Sequence, residues 1–122
     1  MSCPFCAPPE EEVLLRNRWC YAREDRYPAS PGHLLIIPFR HFSGLFEADA
    51  EELKAAGELL DEAKELLDRE RSPDGYNIGV NVGEAAGQTV MHMHVHLIPR
   101  YHGDVDDPRG GVRGALPANR TY

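Results

Sequence analysis

A chain of 122 residues is long enough for one domain around a single hydrophobic core. It carries 13 basic and 20 acidic residues, and the net charge of −7 argues against nucleic acid or an anionic membrane surface as partners. No run approaches the roughly 18 apolar residues of a spanning helix, and the N-terminal residues lack the basic and apolar regions of a signal peptide. We therefore expect a single domain over residues 1–122 that stays in the cytoplasm.

The N-terminal segment contains two cysteines, Cys3 and Cys6, at a spacing found in half of a zinc site and also in redox pairs. A redox pair normally opens a helix after a strand, whereas prolines and an acidic run, 10–12, follow here and indicate an exposed connector. Three cysteines in the whole chain do not resemble a secreted disulfide framework. The spacing alone is a weak signal, and an incidental pair stays open at this point.

Short apolar runs separated by polar turns predict strands. The runs at 13–15 and 19–22 flank an Arg-Asn-Arg turn and predict a hairpin. A strand over 33–37 ends at Pro38, because proline cannot donate to a strand ladder. A further strand is expected over 76–82, after a Ser-Pro-Asp-Gly turn.

One long helix is predicted from about residue 49 to about residue 70. Asp49 is the expected N-cap, and Glu52 three residues later completes a capping box. Apolar residues then recur at helical spacing and should face the sheet: Leu53, Ala56, Leu60, Ala63 and Leu67. The predicted class is α+β, an antiparallel sheet of about five strands with one long helix packed on it.

The stretch 87–100 supplies the last strand and places three histidines at every second position. Strict alternation predicts that His92, His94 and His96 share one face of a strand, about 6.6 Å apart. The alternate residues would then point into the core: Met91, Met93, Val95 and Leu97. Packing does not account for a row of polar imidazoles, since each needs a partner. Spacing alone leaves two chemistries open, a metal site and nucleophilic catalysis by the central histidine.

The residues around these histidines resemble the signature of the histidine triad (HIT) superfamily of nucleotidyl hydrolases and transferases. The matching run is Gly87-Gln88-Thr89-Val90-x-His92-x-His94-x-His96-Leu97-Ile98-Pro99-Arg100. Upstream matches are Asp25-x-x-Pro28-x-x-Pro31-Gly32-His33, then Ile37-Pro38-x-Arg40-His41, then Asn81. These matches occur in order over most of residues 3–104, an extent that chance does not explain.

The resemblance implies a catalytic set of four histidines. His94 would attack the α-phosphorus of a nucleoside polyphosphate or phosphoramidate, and water would then hydrolyse the nucleotidyl-histidine intermediate. A neutral imidazole suits this role because it is nucleophilic near pH 7. His96 would contact the α-phosphate oxygens, and His33 and His92 would support the pair from behind.

The resemblance also implies a nucleotide-binding set. Asp25 matches a residue that holds the ribose hydroxyls, and a carboxylate is a suitable acceptor for two hydroxyl groups. From the residues alone, Asp25 is equally compatible with an Asx turn before Pro28. Asn81, Gln88 and Thr89 match positions that donate hydrogen bonds to phosphate or to the bridging oxygen.

In some HIT proteins an N-terminal cysteine pair binds zinc together with two histidines, which here correspond to His41 and His92. The resemblance therefore implies a structural zinc site formed by Cys3, Cys6, His41 and His92, which would pin the N-terminus to the sheet. The metal would then compete with a direct catalytic role for His92. Mg²⁺ can accompany a polyphosphate substrate, and no organic cofactor is implied. HIT proteins generally pair, so a homodimer is expected.

The run from His94 through Gly103-Asp104 resembles the dinucleoside polyphosphate hydrolase branch, the fragile histidine triad-like proteins, more than the phosphoramidase branch. A purine nucleoside phosphoramidase and a diadenosine polyphosphate phosphorylase stay open, as does a nucleotide-binding sensor or interaction module without catalytic activity. The C-terminal segment, 101–122, should be irregular. Its Arg109 and Arg113 would either belong to a solvated arm or a dimer strap, or reach the distal phosphates of a long substrate.

Overall fold

The computed structural model describes residues 3–121. Met1, Ser2 and Tyr122 lie outside the described residues. The two ends of the domain predicted over 1–122, including the first residues of the N-terminal segment, therefore lie outside them as well. No helix within 3–121 combines the length and the apolar character needed to cross a membrane.

Five antiparallel strands form one sheet in the spatial order β1-β2-β3-β5-β4. The strands are β1 (Leu15–Arg16), β2 (Cys20–Glu24), β3 (Leu34–Pro38), β4 (Gly75–Gly79) and β5 (Val95–Arg100). β1 and β2 form the hairpin expected around the Arg-Asn-Arg turn. The predicted α+β class, with an antiparallel sheet of five strands and one long helix, is confirmed.

The two faces of the sheet have different environments. On one face, alternate residues of β2 and β3 pack with Leu97 of β5 under the helix: Cys20, Ala22, Leu34 and Ile36. On the other face, Tyr21, Leu35 and Ile37 pack against Phe5 of the N-terminal segment. Strand alternation thus separates a helix-covered core from a second face, and His96 lies on that second face because it pairs with Leu35.

The helix α1 (Ala50–Arg71) begins with the predicted capping box. The Asp49 side chain accepts from the Glu52 amide at 3.0 Å, and the Glu52 carboxylate accepts from the Asp49 amide at 3.0 Å. The same buried carboxylate binds the Arg40 guanidinium through two hydrogen bonds of 3.0 and 2.8 Å. A residue after the last turn, Ser72, adopts the left-handed conformation that ends many helices.

The predicted apolar stripe of this helix is partly wrong. Leu53 is 48% exposed and Leu60 is only partly buried, whereas Ala55 and Leu59 are buried with the expected Ala56, Ala63 and Leu67. The capping box explains the shift, because Glu52 turns inward to meet Asp49 and Arg40. The following residue, Leu53, lies about 100° further around the helix and so points outward.

Two predicted strands are shorter in the structure. β4 ends at Gly79 rather than at residue 82, and β5 begins at Val95, so that His92 lies in a bend and His94 in an irregular stretch before the strand. The Met93 amide donates to the Phe42 carbonyl at 2.8 Å and is therefore unavailable to a strand ladder. Met93 and Leu97 are buried as expected, but Met91 is 41% exposed.

Truncating Leu59 should destabilise the protein far more than truncating Leu53, although both are leucines of the same helix. Leu59 is fully buried, and Leu59→Ala should lower the free energy of unfolding by about 2–5 kcal/mol through lost burial and a cavity. Leu53→Ala should lower it by less than about 1 kcal/mol. Urea denaturation of the two variants measures both values. Equal losses would contradict the helix orientation described here.

Candidate functional site

The His94 ring is held by a hydrogen bond to a backbone carbonyl two residues earlier in the chain. Its Nδ1 lies 2.8 Å from the carbonyl oxygen of His92. Because a carbonyl can only accept, Nδ1 carries the proton and donates it, so the neutral ring leaves Nε2 with a free lone pair. The rings of Phe5 and His96 contact the imidazole, with centroids 5.0 and 5.1 Å away. The ring is thus fixed in orientation and in tautomer.

A chain of hydrogen bonds sets the tautomer of His96 in the same way. The Ala29 amide donates to His33 Nδ1 at 2.9 Å, so the proton of His33 is on Nε2. This Nε2 donates to His96 Nδ1 at 2.9 Å, and the proton of His96 must then be on its own Nε2. The site therefore places a nitrogen lone pair on His94 beside an N–H donor on His96.

Burial keeps the His96 and His33 imidazoles uncharged. Desolvation, as the largest cause, and the neighbouring His94 and His33 together lower the pKa of His96 to about 4, against the opposing charge of Asp25. Desolvation also lowers the pKa of His33, opposed by the nearby charge of Asp25. Both rings are consequently neutral near pH 7, as the hydrogen-bond chain requires.

Asp25 lies at the start of the loop after β2, beside the two histidines. One of its carboxylate oxygens is 3.5 Å from His33 Nε2 and 3.9 Å from His96 Nδ1. The other oxygen accepts from the Tyr27 amide at 2.8 Å, which is an Asx turn. The Asx turn therefore does not prevent Asp25 from taking part in the site. The turn uses one carboxylate oxygen, and the other can still accept hydrogen bonds beside the histidines.

The expected row of three imidazoles on one face does not form, because His92 turns away from the other two. It is fully buried, and its Nε2 donates to the Pro38 carbonyl at 2.7 Å. Its Nδ1 faces Cys3 Sγ at 3.3 Å, Cys6 Sγ at 3.6 Å and His41 Nδ1 at 3.1 Å. The direct contact of His92 with His94 is made by its backbone carbonyl.

These four side chains fit a zinc ion. One ligand atom from each of Cys3, Cys6, His41 and His92 lies within 4.8 Å of all the others. Bonds of about 2.3 Å to sulfur and 2.0–2.1 Å to nitrogen in a tetrahedron give ligand separations of about 3.3–3.8 Å, close to those found here. The hydrogen bond from His92 Nε2 to a carbonyl is also the usual support for a zinc-bound imidazole.

Most of the predicted site residues line one cavity of about 500 Å³. These residues are Asp25, Asn81, Gln88, Thr89, His94 and His96. His33 lies behind His96, and His92 belongs to the cysteine cluster. The predicted catalytic and nucleotide-binding sets are thus brought together, apart from these two supporting histidines.

Gln88 is more constrained than the resemblance implies. Its amide group donates to the carbonyls of Ser43 and Val90 at 2.7 and 3.1 Å, and its oxygen accepts from the Gly83 amide at 2.9 Å. The side chain is buried and uses both donors within the protein. In this structure Gln88 holds the loop that carries Thr89 at the rim of the cavity.

Sequence reasoning missed the part of the cavity wall that comes from the N-terminus and from β2. Pro4 and Phe5, between the two cysteines, line the cavity, and the Tyr21 hydroxyl anchors the Phe5 carbonyl at 2.6 Å. Arg23 lines it as well. The alternation of β2 could have placed Arg23 on the same face as Tyr21, but nothing in the sequence indicated where Phe5 would lie.

The C-terminal segment lies beside the site, but two of its arginines, Arg109 and Arg113, bind groups within the segment itself. Gly111 and Val112 line a second cavity, which also borders His96 and Asn81. The Arg109 guanidinium binds the Asp107 carboxylate at 2.9 Å, and Arg113 donates to the Asn119 carbonyl at 2.9 Å. Residues 101–121 form turns and short 3-10 helices.

The family is established by comparison with known proteins. A family model described as "HIT domain" matches residues 9–103, and the chain belongs to this family. The curated relatives include proteins with activity names. "AP-4-A phosphorylase" of Mycobacterium tuberculosis is 36% identical over 107 residues, covering 84% of this chain and 53% of that protein. "Bis(5'-nucleosyl)-tetraphosphatase [asymmetrical]" of Schizosaccharomyces pombe is 33% identical over 100 residues, covering 82% and 55%.

Solved structures agree with the family and with the fold. A Zn-bound histidine triad family protein from Mycobacterium smegmatis superposes with a TM-score of 0.75 at 31% identity, covering 84% of this chain and 78% of that one. The chain spans about half the length of the two curated relatives named above.

His96 should stay neutral in the folded protein down to about pH 4, whereas an exposed histidine titrates near pH 6.5. Between these two values the unfolded chain binds more protons than the folded one, so the free energy of unfolding should fall as the pH falls from about 6.5 to about 4. Imidazole NMR titration measures the midpoint of His96 directly. A midpoint above pH 6 would contradict the buried hydrogen-bond chain.

Proposed function

We propose that this protein is a nucleotidyl hydrolase or transferase that cleaves at the α-phosphate of dinucleoside polyphosphates through a nucleotidyl-histidine intermediate. The observation that carries the proposal is the pairing of tautomers in one cavity. His94 offers an unprotonated Nε2, and His96, 5.1 Å away between ring centroids, offers an N–H. Such a pair suits attack on phosphorus and donation to a phosphate oxygen in the same step.

In the first step His94 Nε2 attacks the α-phosphorus, a P–N bond forms, and the bond to the departing phosphate oxygen breaks. The imidazole becomes cationic as it attacks, and its Nδ1–H donates to the His92 carbonyl, which stabilises the positive charge. The N–H of His96 donates to a phosphate oxygen and favours the negative charge that develops there. Water then breaks the P–N bond and releases the nucleotide.

The other cavity residues would hold the substrate around this centre. The free oxygen of Asp25 would accept from the ribose hydroxyls, and Asn81 and Thr89 would contact phosphate oxygens. Gln88 would act by holding the loop at the cavity rim. In this proposal Mg²⁺ accompanies the polyphosphate as the charge partner of the phosphates.

Phosphorolysis is the second candidate, and the name of the mycobacterial relative favours it. Inorganic phosphate would then replace water in the second step and yield a nucleoside diphosphate. Product analysis with and without phosphate distinguishes the two reactions. A panel of diadenosine polyphosphates, an adenosine phosphoramidate and an adenylylated lysine separates both from a phosphoramidase.

We further infer a structural zinc at Cys3, Cys6, His41 and His92, and a homodimer. The zinc inference is supported by the clustered ligand atoms and by the Zn-bound relative. The dimer inference is supported by β4, which is an edge strand with Ile78 48% exposed. An apolar side chain at a free strand edge is more stable when a second chain covers it.

His94→Ala should lower turnover of diadenosine tetraphosphate by at least about 10³-fold, because the attacking nitrogen is lost. Binding of a nucleoside monophosphate should change little, since other cavity residues provide most contacts. Acid-sensitive label from α-labelled substrate should be trapped on the wild-type protein and not on His94→Ala. His102→Ala, an exposed histidine outside the cavity, is the matched control and should turn over normally. Full activity in His94→Ala would exclude this mechanism.

Protein purified without chelator or affinity tag should contain about one zinc per chain. Cys3→Ser and Cys6→Ser should lose the metal and melt at a lower temperature, whereas Cys20→Ala should keep the metal because Cys20 lies in the core under the helix. The sequence alone predicts that the cysteine changes spare catalysis. The contact of Phe5 with His94 revises this expectation to a partial loss of kcat/KM. A metal-free wild type with unchanged melting temperature would exclude the site.

A further inference from the structure

Arg23 of β2 has a donor that the protein does not use. The side chain is 2% exposed, its Nη2 binds the Glu12 carboxylate, and its Nε contacts the Glu24 carbonyl at 3.4 Å. Within residues 3–121, Arg23 Nη1 is the one buried side-chain nitrogen or oxygen without a hydrogen-bond partner. An arginine cannot shed its proton to escape this cost, so a buried free donor calls for a partner.

The Tyr21 hydroxyl lies near the Arg23 guanidinium, but it does not supply the missing hydrogen-bond partner of Nη1. It donates to the Phe5 carbonyl at 2.6 Å, and Arg23 Nη1 has no partner that meets hydrogen-bond geometry. Burial raises the pKa of Tyr21 to about 12, although the charge of Arg23 and the closeness of its guanidinium to the hydroxyl oppose the shift, so the hydroxyl keeps its proton. The Arg23–Glu12 pair fixes the N-terminal segment on the sheet, yet this structural role uses only Nη2.

The register places this donor in line with the catalytic centre. Arg23 pairs with Leu35, and Leu35 pairs with His96, so the three side chains form one row across three strands on the same face. Two strand spacings separate the ends of the row by about 10 Å. Arg23, Leu35 and His96 all line the cavity, with Phe5 and Val90 as apolar neighbours.

A nucleoside 5′-phosphate is long enough to span this row. With its phosphorus at His94 and its ribose at Asp25, the base would lie on the apolar surface of Leu35, Phe5 and Val90, with its far edge towards Arg23, since all these residues line the same cavity. We propose that Arg23 Nη1 reads the edge of the base and makes the site selective for 6-oxopurines, guanine and hypoxanthine, over adenine. This inference rests on the proposed function and adds the base that the site prefers.

The chemistry of the donor decides the preference. A guanidinium can only donate, and guanine and hypoxanthine offer O6 and N7 as neighbouring acceptors. Adenine also offers N7 but carries an amino group at position 6, so it has one acceptor fewer on this edge and sets a donor against the guanidinium there. The Glu12 carboxylate is shared between Arg23 and Arg26, the latter at 3.2 and 3.3 Å, so it does not neutralise both guanidinium groups.

Calorimetric titration of the wild-type protein with inosine, guanosine and adenosine 5′-monophosphates tests the inference. Inosine and adenosine monophosphate are the sharpest pair because their bases differ at N1 and position 6 alone. The 6-oxo nucleotides should bind about tenfold more tightly than adenosine monophosphate. Arg23→Met removes the donor and should bring the inosine and adenosine affinities together.

Arg16→Met is the matched control. Arg16 lies on the adjacent strand β1, pairs with Glu10 on the surface and does not line the cavity, so this variant should keep the wild-type ratio. Each ratio compares the affinities of two nucleotides for the same protein. The wild-type ratio therefore tests the inference even if Arg23→Met does not fold.

Equal affinities or an adenine preference in the wild type would overturn the inference, and so would an unchanged ratio in folded Arg23→Met. Binding with no base preference would leave the proposed function intact. Failure to bind any of the three nucleotides would overturn the proposed function together with this inference.

Discussion

The hydrogen bond from the Ala29 amide to His33 Nδ1 is the constraint on which the site depends. A backbone amide can only donate, so it fixes the proton of His33 on Nε2 and, through the 2.9 Å contact, the proton of His96 on its outer nitrogen. The amide belongs to the Pro-rich loop between β2 and β3, residues 25–33, which also carries Asp25 and His33 itself. A loop whose sequence indicates only a connector therefore determines which nitrogen of His96 carries the proton and can donate a hydrogen bond.

The sequence predicted the architecture well because its signals were local. The capping box at Asp49, the hairpin turn and the proline that ends β3 each act within a few residues, and each is found in the structure. The phase of the helix could not be predicted in the same way. It depends on Glu52 turning inward to Arg40, a contact made after folding that places Leu53 in solvent.

The histidines show the same limit at the site. Alternation correctly predicted that His94 and His96 lie together, but it also placed His92 in their row. The alternation of the histidines does not indicate where the Cys3 and Cys6 thiols lie. These thiols come from a distant part of the sequence and contact Nδ1 of His92, whose ring therefore turns away from the other two. Contacts of this kind, like that of Phe5 with His94, arise only when the N-terminal segment packs on the sheet.

The ion pair between Arg40 and Glu52 has a consequence for the motion of the protein. Glu52 belongs to the first turn of α1, and Arg40 directly precedes His41 of the cysteine and histidine cluster. Fraying of that turn would leave a buried carboxylate without its cation and release the chain segment that carries His41. The helix start and this segment should therefore open and close as one cooperative unit, with amide hydrogens that exchange at a common rate.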